Sequence, residues 1–310
     1  MKWNEYWFRE GGLLSLAMLR IGTCLGLLFG WFIFAIPDYD IFFQIVDTEK
    51  YHPISLLALL GPTPPSAAFF EALKPISLIA ILLGLVGLGT RLVLPVALLS
   101  SLLPASLLYS FGLPWSHHYN LPLLSLGILC LAPCGDALSL DRLILKRWFP
   151  DRFEALQSKD YPYAWAVLLV QLTAGLFFFN AAYWKVAQHS AWIPWAFSDN
   201  LRLILADQWY FVHSGPYWWH EIIMQNRWLY RTMAAANIVF QTLPLGAALF
   251  SRRPRLRILF GCVFLAELLG LGIIMGIWFL PYFPMFTVFV DWDYFVGGKP
   301  SAPTKNEGPL

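Results

Sequence analysis

A lysine that closes a long apolar run is the residue in this sequence best placed to do chemistry. Lys185 ends the stretch Phe178-Phe179-Asn180-Ala181-Ala182-Tyr183-Trp184-Lys185-Val186. On a helix of 3.6 residues per turn, Phe178, Ala181, Ala182 and Lys185 share a face, and the two alanines leave space beside the amine. An ammonium in a poorly solvated pocket loses solvation, so it gives up its proton more easily and becomes a base near neutral pH. A lysine where a helix leaves a bilayer also serves as a snorkelling anchor. Trp184 beside it suits such an interfacial belt, and spacing alone favours the anchor.

A second constellation is Trp115-Ser116-His117-His118-Tyr119-Asn120, a tight turn between two apolar runs. Imidazoles there can donate to or accept from a ligand oxygen, or share a proton with a nearby amine. No carboxylate or third histidine stands close in sequence, so a metal site is not expected. Arg20 and Glu267 lie inside the apolar runs Leu13–Ile36 and Ile258–Trp278. A charge at the bilayer centre costs roughly 2.5–3.5 kcal/mol by insertion scales, so such groups pair or line a polar cavity. The sequence favours a structural Arg20–Glu267 ion pair over catalysis. Gly135-Asp136-Ala137-Leu138-Ser139-Leu140-Asp141-Arg142 reads as punctuation: a helix stop, then Ser139 or Asp141 capping a surface helix. Cys24, Cys130, Cys134 and Cys262 fall within or beside apolar runs, which suggests packing rather than a disulfide framework. Nucleotide loops, nucleophile elbows and haem-attachment motifs do not occur.

The elements that must hold these residues are membrane helices. The chain has 310 residues, 58% hydrophobic and 13% charged, where soluble domains carry roughly 25% charge. Its 15 Trp and 13 Tyr suit two water–lipid interfaces. Without a basic stripe, no nucleic-acid partner is expected. About seven or eight segments are long enough to span, near 12–36, 76–89 (extended back through Ala67–Leu73), 92–113, 119–134, 163–184, 229–250, 256–278 and 281–292. Pro281 and Pro284 interrupt the last, which reads as re-entrant or interfacial. The first run exceeds a signal peptide's apolar core and reads as a retained span. The fold expected is all-α, a polytopic transmembrane bundle over 1–296, with 297–310 a disordered cytoplasmic tail.

Charge orients the bundle. Lys2 and Arg9, then Arg91, then Arg142, Lys146, Arg147, Arg152 and Lys159, then Arg252, Arg253, Arg255 and Arg257 all fall on one side if the N-terminus is cytoplasmic in an inner (plasma) membrane. All six histidines, His52, His117, His118, His189, His213 and His220, then fall on the opposite face, which places any polar chemistry there. Pro53–Leu60 and Ala191–Tyr210 on that face read as interfacial helices that either roof a cavity for an apolar ligand or shield the bundle.

In that order, the motifs resemble the integral-membrane part of vitamin K-dependent gamma-glutamyl carboxylase and its bacterial relatives, the horizontally transferred transmembrane (HTTM) domain proteins. The resemblance covers about residues 13–290. Leu16-Ala17-Met18-Leu19-Arg20-Ile21 is similar to the family's Leu-Ala-x-Leu-Arg-Ile. Trp115-Ser116-His117-His118 is similar to its Trp-Asn-Asn-His turn, Leu138-Ser139-Leu140-Asp141 to its Trp-Ser-x-Asp, and Phe178–Val186 to its Tyr-Phe-x-Ala-Gly-x-x-Lys-Leu. The resemblance implies that Lys185 is a catalytic base and His118 a partner on the ligand oxygen. The substrate implied is a reduced naphthoquinone, with oxygen and carbon dioxide as co-reactants, in an epoxidising, lyase-type reaction. Ala182 replaces a family glycine, Trp184 a family lysine, and Glu267 stands near a family histidine. The large extra-membrane domain that binds the carboxylase's protein substrate has no counterpart within these residues, so carboxylation of a peptide is not expected.

Two functions follow as expectations. One is a membrane enzyme acting on a reduced quinone or other lipid-like molecule, with Lys185 and His118 catalytic and His117, Trp115, Tyr183 and Trp184 binding substrate. The other is a non-catalytic scaffold or assembly subunit with a membrane or periplasmic protein partner.

Overall fold

The computed structural model describes residues 3–8, 12–33, 38–112, 117–157, 163–187, 192–213 and 215–297, and contains no strand among them. The expected tail, 298–310, and Trp115 lie outside the described residues. In chain order, the helices that matter here are α1 (Leu13–Ile33), α2 (Ala67–Val86), α3 (Thr90–Ser110), α4 (Asn120–Cys130), α5 (Leu140–Trp148), α6 (Ala164–Ala187), α7 (Trp192–Phe197), α8 (Asn200–Ala206), α9 (Trp218–Gln225), α10 (Arg227–Thr242) and α11 (Pro254–Met275). Six are long and apolar enough to cross a bilayer: α1, α2, α3, α6, α11, and α10 as continued to Leu249. The two other expected spans are shorter. Helix α4 has 11 residues, about 16 Å at the α-helical rise against a hydrocarbon core of about 30 Å. The segment Leu280–Phe289 is a 3₁₀ helix. The chain forms two compact units, Met1–Val167 with Trp292–Leu310, and Leu168–Asp291.

In the first unit, α2 and α3 form an antiparallel pair joined by the tight turn at Gly87 and Gly89, both with left-handed φ (71° and 61°). A side chain at Gly87 would collide with the Arg20 guanidinium and with Ser139. Ser77 and Ser101 share a buried hydrogen bond of 2.8 Å across the pair. The turn is tied down by Asp141, whose carboxylate accepts from Gly89 N (2.6 Å), Thr90 N (2.9 Å) and Thr90 Oγ1 (2.9 Å). Asp141 therefore caps α3, while Ser139 caps its own helix α5 by accepting from Arg142 N at 3.0 Å. At the far end of α3, Ser110 takes His52 N (2.8 Å) and Ile54 N (3.2 Å), beside an aromatic core of Tyr39, Phe42, Tyr51 and Phe70. Helix α4 starts at that end, and residues 131–139 reach the Thr90 end. A short helix followed by a turn therefore covers the length of a full helix.

The second unit depends on close helix contacts at small residues. A side chain at Gly175 of α6 would strike the backbone of Leu245, and one at Gly261 of α11 would strike Phe286 and Phe289. Small residues permit this approach, and dispersion contacts then stabilise it. The 3₁₀ segment repeats every three residues, which puts Tyr282, Met285 and Val288 on one buried face. Its prolines are tolerated because few α-helical bonds are required. Its carbonyls have dedicated donors: Gln171 Nε2 to Val288 O (2.7 Å), and Arg257 Nη2 to Val288 O and Val290 O (both 3.2 Å). Arg257 also forms a buried ion pair with Asp291 at 3.0 Å.

Candidate functional site

Lys185 lies near the C-terminal end of α6, with Phe178 and Ala182 of the same face buried. Phe178 packs edge-on against Phe264 of α11, ring centres 5.3 Å apart, and this contact sets the depth of the lysine. The ammonium does not stand alone. Lys185 Nζ donates to Asn237 Oδ1 at 2.5 Å and to Gln241 Oε1 at 2.9 Å. Both amides then donate onward to one oxygen of Glu267, Asn237 Nδ2 at 2.6 Å and Gln241 Nε2 at 2.9 Å. Asn237 and Gln241 are four residues apart on α10, so they share a face.

The direction of each amide is fixed by chemistry. An ammonium offers only donors and a carboxylate only acceptors, so each amide must turn its oxygen to Lys185 and its NH2 to Glu267. The result is an ion pair extended through two parallel amide bridges. It keeps the buried charges balanced without bringing them into direct contact. The third side of the ammonium faces the ring of Trp195, 4.8 Å from its centre, a cation–π contact.

Trp195 belongs to a cap of short helices. With Leu201, Leu205, Trp209, Ile223 and Met224 it forms a cluster on Tyr230 and Ala234 of α10. Asp199, just after α7, latches the cap: Tyr230 Oη donates to its carboxylate at 2.5 Å and Arg231 lies 3.4 Å away. The Tyr230 hydroxyl holds the Asp199 carboxyl below the usual carboxylate range. Within the cap, His220 is fully buried. Its Nδ1 accepts from Tyr217 N at 3.1 Å, and its Nε2 lies 3.1 Å from the Trp219 indole Nε1 and 3.0 Å from Ile273 O. Its ring stacks on Trp209 at 4.1 Å, and His213 lies against Trp209 at 4.7 Å. These two histidines hold the cap together.

The remaining expected residues are distributed as follows. Tyr183 and Trp184 are half exposed, at 53% and 52%, and their rings meet each other edge-on. His117 and His118 occupy the 3₁₀ turn His117–Tyr119 in the first unit. Lys185 and its partners belong to the second unit. Arg20 is completely buried and donates to Cys134 O (2.8 Å) and Leu138 O (2.6 Å). Glu267, in the second unit, accepts from the two amides. Asn237 and Gln241 were not anticipated. The available signal was a pair of amides at i and i+4 within an apolar segment.

No protein-family model matches the chain, and no curated protein or solved structure matches it either. Its class is therefore set by fold and site. Among the described residues it is all-helical, with six helices long and apolar enough to cross a membrane, and it holds a part-buried lysine–amide–carboxylate network.

Proposed function

We propose that the protein is an integral membrane enzyme in which Lys185 accepts a proton from a weakly acidic, lipid-soluble molecule of the reduced-quinone class. The observation that carries this reading is the amide-bridged network. Glu267 balances the lysine's charge, so partial burial is tolerable, yet among the described residues no carboxylate touches the amine and holds it in one arrangement. Two of the three donor directions are fixed by Asn237 and Gln241. The third is covered only by the Trp195 ring, and a ligand hydroxyl approaching Lys185 would displace that ring. The apolar cap around Trp195 would suit a ligand entering from lipid. On the positive-inside orientation proposed here, the N-terminus is cytoplasmic, residues 120–136 complete a crossing, and the cap lies at the outer face of the inner membrane.

A second reading rests on the same geometry. Every donor of Lys185 already has a partner, so the network is self-satisfied and suits a structural or scaffold role. The deciding experiment is extraction and mass spectrometry of molecules retained by the full chain, wild type against Lys185→Met. A quinone-class molecule present in wild type and lost in the variant is the expected result. Bulk phospholipid alone in both, with a co-purifying protein unaffected by the substitution, would overturn the enzyme reading in favour of the scaffold.

A further inference from the structure

The basic end of the first unit contains a second polar feature, separate from the lysine network. A cavity of about 420 Å³ is lined by Arg91 and Arg142 together with the carboxylates of Asp136 and Asp141, with Leu13, Leu92, Leu145 and Phe153 as apolar walls. Two further cavities adjoin it, each sharing one arginine. The cavity on the Arg142 side, about 610 Å³, runs along Val86, Leu138, Leu140 and Leu143. The one on the Arg91 side, about 490 Å³, runs along Leu131, Pro133 and Trp165. A polar centre that carries two arginines and two aspartates thus opens into two mainly apolar troughs, and the net positive charge of this end comes from Lys146 and Arg147 beside it.

The local charges are unevenly engaged. Asp141 is spent on three donors at the start of α3, and Asp136 accepts from Tyr163 Oη at 2.9 Å. Arg142 uses Nη1 on Asp136 O (2.8 Å) and lies over the Phe153 ring at 5.6 Å, with other N–H groups left for a ligand. Arg91 is exposed. Helix α5 follows directly, with Leu143, Ile144 and Trp148 exposed beside Lys146 and Arg147 in its last turn. That arrangement of apolar and basic side chains characterises helices lying at an anionic lipid surface.

We propose that this end of the first unit binds one anionic phospholipid. Its phosphodiester sits between Arg91 and Arg142, and its two acyl chains lie along the flanking troughs. Arginine supplies planar, multidentate donors suited to phosphate. The troughs select a two-chain lipid over a free phosphate. The proposal does not depend on the chemistry assigned to Lys185.

Native mass spectrometry of the full chain in detergent tests it, with phosphatidylglycerol titrated against wild type, Arg91→Gln, Arg142→Gln and the double variant. Each arginine is expected to contribute about five-fold in affinity, and the pair about 25-fold, from roughly 1 kcal/mol per basic residue at an anionic surface. Arg255→Gln, which removes an exposed arginine of the other unit, should bind as wild type does, and phosphatidylcholine should bind more weakly than phosphatidylglycerol. Arg91→Lys keeps the charge and separates loss of binding from loss of folding. Equal retention by wild type and the double variant would overturn the site. Full displacement of the lipid by inorganic phosphate would overturn the two-trough assignment.

Discussion

Substituting Glu267 with Gln asks whether Lys185 and Glu267 form one charge-balanced unit. The new amide has nearly the same shape but brings an NH2 towards a place where Asn237 and Gln241 already present NH2 groups. Lys185 also loses its only balancing carboxylate. Removing one partner of a fully buried pair costs about 3–5 kcal/mol; with Lys185 and Asn237 half-buried the cost should fall at or below the lower end of that range, and Lys185→Met should cost a similar amount because it strands the carboxylate instead. In the double variant both charges are gone, and the two amides can re-pair. Its cost should therefore fall short of the sum of the single costs by about 1–3 kcal/mol, the range seen for residues sharing a network. The assay is reversible unfolding in mixed micelles, titrated with denaturing detergent and followed by tryptophan fluorescence. If the two costs add to within about 0.5 kcal/mol, the residues are independent and the bridged pair is the wrong description.

Three further outcomes are expected. Arg20→Met leaves the buried carbonyl of Cys134 and the part-buried carbonyl of Leu138 without their donor and should destabilise the chain by about 1–3 kcal/mol, the cost of one stranded buried group, read by the same unfolding titration. Gly175→Ala places a methyl group against the backbone of Leu245, which cannot rotate away, and should cost about 1–3 kcal/mol, while Gly270→Ala, where a Cβ meets nothing, should cost far less in thermal melting. The Asp199 latch has a carboxyl held below its ordinary value, so its contribution is fully present above the unfolded value of about 4 and is lost as pH falls through the lowered folded value. Hydrogen exchange of α7 in wild type should accelerate over that acid window, and Asp199→Asn should remove the pH dependence.

Much of the scaffold was legible because apolar runs of spanning length have few other uses. Lys185 and Glu267 were each conspicuous as ionisable groups in apolar surroundings. Their connection was not, because the residues joining them are neutral amides on a third helix, and nothing in a linear pattern says which way an amide faces. Arg20 shows a different limit. Its partners are backbone carbonyls near Leu138, a residue with left-handed φ of 44°, and a carbonyl freed by irregular backbone leaves no mark on residue types. Of the histidines, His220 is occupied within the cap, with Tyr217 N, Trp219 Nε1 and Ile273 O around its ring nitrogens, and His189 lies outside the described residues. The prolines at 281 and 284 did signal an irregular segment, and the three-residue spacing of Tyr282, Met285 and Val288 was available to identify it.

The start of α1 is capped by Asp293, which accepts from Leu14 N and Ser15 N, both at 3.0 Å, and from Ser15 Oγ at 2.7 Å. These partners are separated by as many as 279 positions, with the whole of Leu168–Asp291 synthesised between them. A ribosome delivers the first helix long before its cap exists, and delivers Arg20 before the carbonyls of Cys134 and Leu138. The first helix is therefore made with the Arg20 charge unanswered, a burden below the roughly 2.5–3.5 kcal/mol of a helix centre because Arg20 lies within its first half. Assembly order follows from connectivity: the first unit begins first, and its Asp293 cap is made only after the whole of the second unit.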